Sequence, residues 1–177
     1  GQPGYLTSNT NGTITSIVAA NQEAGFSIVQ WKGIASAATV GHGLGKIPEL
    51  IIAKNIDTAN SWAVYSEPTT INYYLELNNN SSKSQLNNYW GASAPTSTVF
   101  GLYNGASNIN RSGESIIAYC FTSIPGYSRI DSYVGTGVSG NAQYLGFGPS
   151  FLMIKSTNLN GSYWMMFDNK RVSGSNK

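Results

Sequence analysis

An all-β chain is the expectation here: an antiparallel β-sandwich, internally duplicated, with an incomplete second copy. Three observations predict it. Apolar or alternating runs of strand length recur between Gly, Asn and Ser punctuation, which is the pattern of sheets joined by turns. Gly, Ser, Asn and Thr supply 75 of the 177 residues while Asp, Glu, Lys and Arg supply only 10%. That composition leaves little material for the solvated faces of helices. A block of sequence also recurs about a hundred residues later in the same order, the sign of a repeated unit.

The strands are read in order as Ile14–Ala19, Phe26–Lys32, Glu49–Asn55, Trp62–Ser66, Tyr73–Leu77, Val99–Tyr103, Ile116–Phe121, Arg129–Val134, Phe151–Lys155 and Tyr163–Phe167. In Phe26–Lys32, Phe26, Ile28 and Gln30 share one face and Ser27, Val29 and Trp31 the other, because side chains alternate along a strand. Leu50–Ala53 and Ile116–Phe121 have no polar face and read as buried on both sides. Ser16–Ala24 is the nearest thing to a helix, but it lacks a sustained 3.6-residue apolar period with caps. Asn78–Asn88 and Asn104–Gly113 read as long loops, their Asn clusters suited to turns.

The repeat aligns Gly25-Phe-Ser with Gly126-Tyr-Ser, then Gly45 through Lys54 with Gly146 through Lys155, then Trp62 with Trp164. Gly25/Gly126, Gly33/Gly135, Pro48/Pro149, Lys54/Lys155 and Trp62/Trp164 are identical pairs. Gly33 and Gly135 follow aromatic strands and are expected to turn with positive φ. Pro48 and Pro149 stand just before a buried strand, where a missing N–H matters little. Trp62 and Trp164 alternate with Val64 and Met166 as core-facing residues would. The domain reading is 1–24 as an N-terminal extension and linking strand, 25–125 as the first sandwich repeat, and 126–177 as a partial second repeat. The second copy lacks about three strands of partner, and an unfinished sandwich exposes edges and apolar surface. Something outside the segment is therefore expected to complete it.

The runs Ala24-Gly-Phe-Ser-Ile-Val-Gln-Trp-Lys-Gly33 and Val40-Gly-His-Gly-Leu-Gly-Lys-Ile-Pro-Glu-Leu-Ile-Ile-Ala-Lys-Asn55, with Ala118-Tyr-Cys-Phe121 before Gly126-Tyr-Ser128, resemble a repeat module of tailed-phage tail and fibre proteins. The resemblance spans Ile17 to Arg171. Such modules often stand beside concanavalin-like, laminin-G-type domains, so the expected sandwich is concanavalin-like or jelly-roll-like. The resemblance implies a virion structural or adhesive part, located on the particle and assembled in the host cytoplasm. It implies no catalytic residues. The family pattern normally runs on past the position of Arg171, in keeping with a second copy that stops short.

The charge pattern narrows the partners. Net charge is +2, and the longest basic run is Lys170-Arg171, which is not the stripe a nucleic-acid binder presents. No apolar stretch approaches the ~20 residues of a membrane-spanning helix, so no membrane insertion is expected. The opening at Gly1, polar and turn-rich, reads as a processed product or a part of something longer. Cys120, the single cysteine, sits in an apolar run and reads as a small buried hydrophobe.

Chemistry-bearing residues are sparse. His42 is the only histidine, in Gly41-His-Gly-Leu-Gly45, and no Gly-x-Ser-x-Gly elbow accompanies it; the reading is an imidazole bonded to backbone or stacked. Asp57, Asp131 and Asp168 form no recognisable calcium loop. Glu76 and Glu114 are the two acids that adjacent strands could bring together for glycoside hydrolysis. Tyr73, Tyr74, Tyr89 and Trp90 are the glycan-contact candidates, because aromatic faces stack on sugar rings. No cofactor is expected. The leading reading is a non-enzymatic virion structural protein, a tail-fibre, appendage or capsid-surface component. It would self-associate or join other virion proteins, with a host-surface glycan as a further candidate partner. A lectin-like glycan-binding module is the alternative, and a polysaccharide depolymerase the third reading.

Overall fold

The computed structural model describes residues 5–85, 89–105 and 108–170. Among them lie eleven strands: β1 (Thr7–Asn9), β2 (Ser16–Asn21), β3 (Phe26–Lys32), β4 (Ala38–Gly41), β5 (Leu50–Asn55), β6 (Ala63–Ser66), β7 (Leu75–Glu76), β8 (Val99–Leu102), β9 (Ser115–Phe121), β10 (Phe151–Ile154) and β11 (Met165–Asp168). The only helical element among the described residues is a 3-10 turn over Glu67–Thr69. The all-β expectation holds, and the stretch Ser16–Ala24 is strand β2 up to Asn21, followed by a turn.

Seven strands form one antiparallel sheet in the order β1-β2-β3-β9-β5-β6-β7. Strand β9 is central, pairing with β3 from Phe26↔Phe121 to Lys32↔Ser115 and with β5 from Leu50↔Phe121 to Asn55↔Ile116. The segment expected as an N-terminal extension supplies the edge strand β1 and its neighbour β2. Strands β4 and β8 form a second, smaller layer. Residues Tyr89–Gly91 lengthen it by bonding along β8: Tyr103 N–H donates to Tyr89 O at 3.0 Å and Gly91 N–H to Gly101 O at 2.9 Å.

The core fills the space between these layers. Val29, Trp31, Ile51, Ala53, Tyr65, Ile116, Ala118 and Cys120 come from the large sheet, and Val40, Phe100 and Leu102 from the small one. Phe100 meets Trp31 edge-on at 5.5 Å and Trp90 at 6.2 Å, and Trp90 meets Tyr65 at 6.0 Å. Ala118, Ala53 and Ala63 lie in one row across β9, β5 and β6. These small side chains share one core cluster with the large rings of Trp31, Tyr65, Trp90 and Phe100, a mixture of sizes that suits close packing. The loop before β9 also plugs the core. Asn110 is fully buried, its Nδ2 donates to Ser36 O and Tyr103 O at 2.8 and 3.0 Å, and its Oδ1 accepts Ile34 N–H at 3.1 Å.

Several expectations are corrected. Arg129–Val134 is not a strand; residues 131–144 are exposed coil. Its aligned counterpart β3 has strands on both sides to satisfy its N–H and C=O groups, whereas this segment pairs with no strand among the described residues and bonds to side chains instead, as Ile130 N–H does to Ser123 Oγ at 3.0 Å. Leu50–Ala53 and Ile116–Phe121 are not buried on both sides. Each sends one face into the core and leaves the other half-buried. Trp62 and Trp164 are half-buried and lie just before β6 and β11 rather than in the core, and Met166 is exposed. Gly33 and Gly135 do not have positive φ. Gly33 is required for a different reason: a Cβ there would stand 2.2 Å from the Arg111 carbonyl oxygen.

Candidate functional site

The four aromatic candidates separate into two environments. Tyr89 and Trp90 are in the core, with Trp90 only 1% exposed, so neither offers a face to a sugar. Their Asn-rich surroundings suggested a loop, but the pairing of Trp90 with Leu102 carries them inward. Tyr73 and Tyr74 are half-buried at the surface. Lys83 Nζ lies 4.5 Å from the Tyr73 ring centroid, and Tyr74 meets Tyr89 edge-on at 4.7 Å.

Beside Tyr74 runs a polar groove of about 300 Å³, lined also by Glu76, Asn79, Ser82, Lys83 and Asn160. Glu76 on β7 accepts from Tyr89 OH at 2.7 Å and from the Asn79 side-chain amide. Burial, reinforced by Glu76, holds the Tyr89 phenol well above its ordinary pKa, so it stays a donor. The far wall belongs to the β10–β11 connection. Asn160 Oδ1 accepts Ser82 N–H at 2.9 Å, Lys83 N–H donates to Thr157 O at 2.8 Å, and Trp164 Nε1 donates to Glu76 O at 3.0 Å.

Glu76 and Glu114 are not a catalytic pair. They stand three strand spacings and about four residues apart in the sheet, roughly 20 Å at the usual dimensions, against the ~5–9 Å of glycosidase acids. Glu114 instead accepts from the Asn55 side-chain amide and from Thr58 Oγ1 at 3.2 Å, and its other oxygen lies 4.0 Å from Arg111. Asp57 accepts Ser115 N–H at 2.6 Å, which holds its carboxyl below the usual range. Asp131 is bonded by Arg129 at 2.6 Å. No three His, Cys, Asp or Glu side chains converge on one point among the described residues.

His42 is a structural imidazole. It is fully buried, its Nδ1 accepts Leu44 N–H at 3.2 Å, and its Nε2 lies 3.1 Å from Thr96 O. That pairing assigns the proton to Nε2, and burial lowers the pKa. Burial pushes the Cys120 thiol up to about 12, which leaves it unreactive.

The surface that sets this molecule apart is apolar. On the β10–β11 hairpin, Phe151, Met165, Met166 and Phe167 are 44–57% exposed, although strands of this composition are normally covered. Tyr127, Tyr133, Val134 and Tyr144 on the approach to it are exposed too. The outer face of the seven-stranded sheet adds half-buried Phe26, Ile28, Ile52, Ile117, Tyr119 and Phe121.

The family described as Domain of unknown function (DUF7483) matches residues 2–177. The chain belongs to that family. Among curated proteins and among solved structures none matches this DUF7483 domain. Sequence reasoning found the two hairpin strands, β10 and β11. It missed the groove, whose two walls lie 78 residues apart at Ser82 and Asn160.

Proposed function

We propose that this DUF7483 domain is a non-enzymatic structural component of a tailed-phage virion, a tail-fibre, appendage or capsid-surface part. Its C-terminal portion would be covered by neighbouring subunits of the particle. The observation that carries the reading is the β10–β11 hairpin, whose large apolar side chains are half or more exposed at positions such as Phe151 and Met165. The sequence resemblance supplies the virion context. Low charge suits a particle surface, because few of its contacts are ionic and screened by salt.

Sedimentation velocity over a concentration series, run with an apolar-surface dye, tests the reading. The expected result is dye binding and self-association that Phe151→Glu weakens. A strict monomer that binds no dye at any concentration would overturn it. Recovery of the chain's peptides from purified parent particles tests the virion assignment itself.

A second reading, a lectin-like glycan-binding role, is favoured by the groove beside Tyr74. One aromatic ring, two amides, an acid and a lysine converge there, a suitable set for sugar hydroxyls and one ring face. Glycan titration with Tyr74→Ala as control tests it, and unsaturable or Tyr74-independent binding removes it.

A further inference from the structure

The C-terminal hairpin repeats the register of the β5–β6 hairpin. Leu50 faces Ser66 and Ala53 faces Ala63; Phe151 faces Asp168 and Ile154 faces Met165. Shifting the first strand by 101 residues and the second by 102 turns one set of pairs into the other. Those are the shifts that align Lys54 with Lys155 and Trp62 with Trp164 in the sequence. The bond at the open end recurs as well: Glu67 N–H donates to Glu49 O at 2.7 Å, and Asn169 N–H to Ser150 O at 3.1 Å. Both lysines reach a carbonyl of their own hairpin connection, Lys54 at Thr58 O (3.2 Å) and Lys155 at Ser162 O (2.6 Å). Two aligned glycine pairs share the left-handed conformation, Gly25 and Gly126 at φ 64° and 76°, Gly45 and Gly146 at 68° and 84°.

The hairpins differ at the outer edge. That of β5 is taken by β9 along its whole length, whereas β10 pairs only with β11 among the described residues. In an antiparallel pair, main-chain groups alternate between the two sides. Since Ser150 O points to β11, the N–H and C=O groups of Phe151 and Met153 point away from it.

We infer that the outer edge of β10 is an acceptor for an antiparallel strand of β9's chemistry. That strand is an extended segment of seven residues with the apolar alternation of Ser115–Phe121, seated so that Phe151 faces the residue in Phe121's place. Recognition is by main-chain pairing, with apolar side chains on both faces supplying affinity, as in other strand additions to a sheet edge. The inference rests on the structural role proposed above and names the partner of that same surface.

The test uses the whole chain, below the concentration at which it associates, and a lysine-flanked peptide of Ser115–Phe121 carrying Cys120→Ala. The expected result is saturable binding with new amide-exchange protection at Phe151 and Met153. Met153→Pro, which removes an outward N–H and no β10–β11 bond, should weaken binding at least about tenfold. Equal binding of a scrambled peptide, or no protection at Phe151 and Met153 of the unaltered chain, overturns the inference. If the chain self-associates while the peptide fails to pair, this inference falls and the structural role stands. If it neither associates nor pairs, both fall.

Discussion

His42 illustrates how much a single side chain is asked to do in a chain with so few charges. Its Nδ1 must stay unprotonated to accept Leu44 N–H. The folded pKa is lowered below 6.5 by burial, so the unfolded chain binds the extra proton first as pH falls. The stability tied to this group is complete above pH 6.5 and is lost as pH drops toward the folded pKa, by at most about 1.4 kcal/mol per pH unit. Urea midpoints measured from pH 7.5 down to 5 should fall, and His42→Gln should flatten the decline. Asn110→Ala strands the Ile34 N–H and leaves Ser36 O and Tyr103 O without a donor. It should destabilise the fold by about 2–4 kcal/mol, since each buried orphan costs about 1–3; chemical denaturation reads the loss directly. Thr70 is exposed and sits at φ 64°, ψ 170°, a region that β-branched residues avoid. Thr70→Gly should raise stability by about 1 kcal/mol. At this scale the sequence was legible where neighbours decide burial, as for Cys120 in its apolar run. It was not legible for Trp90, whose burial depends on a pairing with Leu102 that no local pattern encodes.

Strand β3 was readable to the residue, Phe26–Lys32, because a glycine stands immediately before it and another immediately after. The alternation of Val29 and Trp31 with Ile28 and Gln30 also assigned its faces correctly. Strand β4 was overlooked, since Ala38–Gly41 carries only one large apolar side chain, Val40. The stretch aligned with β3 in the second half has similar residues and yet is coil, which shows that pattern permits a strand but pairing makes one. The two layers meet in one core of aromatic rings and small alanines, and that packing is open to test. Trp90→Ala should cost about 3–5 kcal/mol. Ala118→Leu should cost about 1–3 kcal/mol through overpacking of that core. Equal denaturation midpoints for either variant and the parent would refute the packing described.

Over the whole molecule, cohesion is uneven. The seven-stranded sheet and the small layer share one core, whereas the β10–β11 hairpin is fastened chiefly through its connecting loop at Asn80, Ser82, Lys83 and Glu76. Amide hydrogen exchange should therefore run faster at Phe151–Ile154 than in β3, β5 and β9, because elements with few buried contacts open locally. The sandwich and nine of its eleven described strands could be read from composition and punctuation, β1 and β4 being the two that could not. Which strands share a layer could not, because β9 enters between β3 and β5 from more than sixty residues away.

The two ion pairs among the described residues, Arg111–Glu114 and Arg129–Asp131, are at least partly open to solvent, and other charged groups, such as Glu76, Asp57 and Lys155, bond at short range to neutral partners. Sodium chloride can therefore screen almost nothing of importance. Moderate changes in ionic strength should leave the melting curve almost where it was, and a large shift on adding salt at a concentration where the chain is monomeric would refute this.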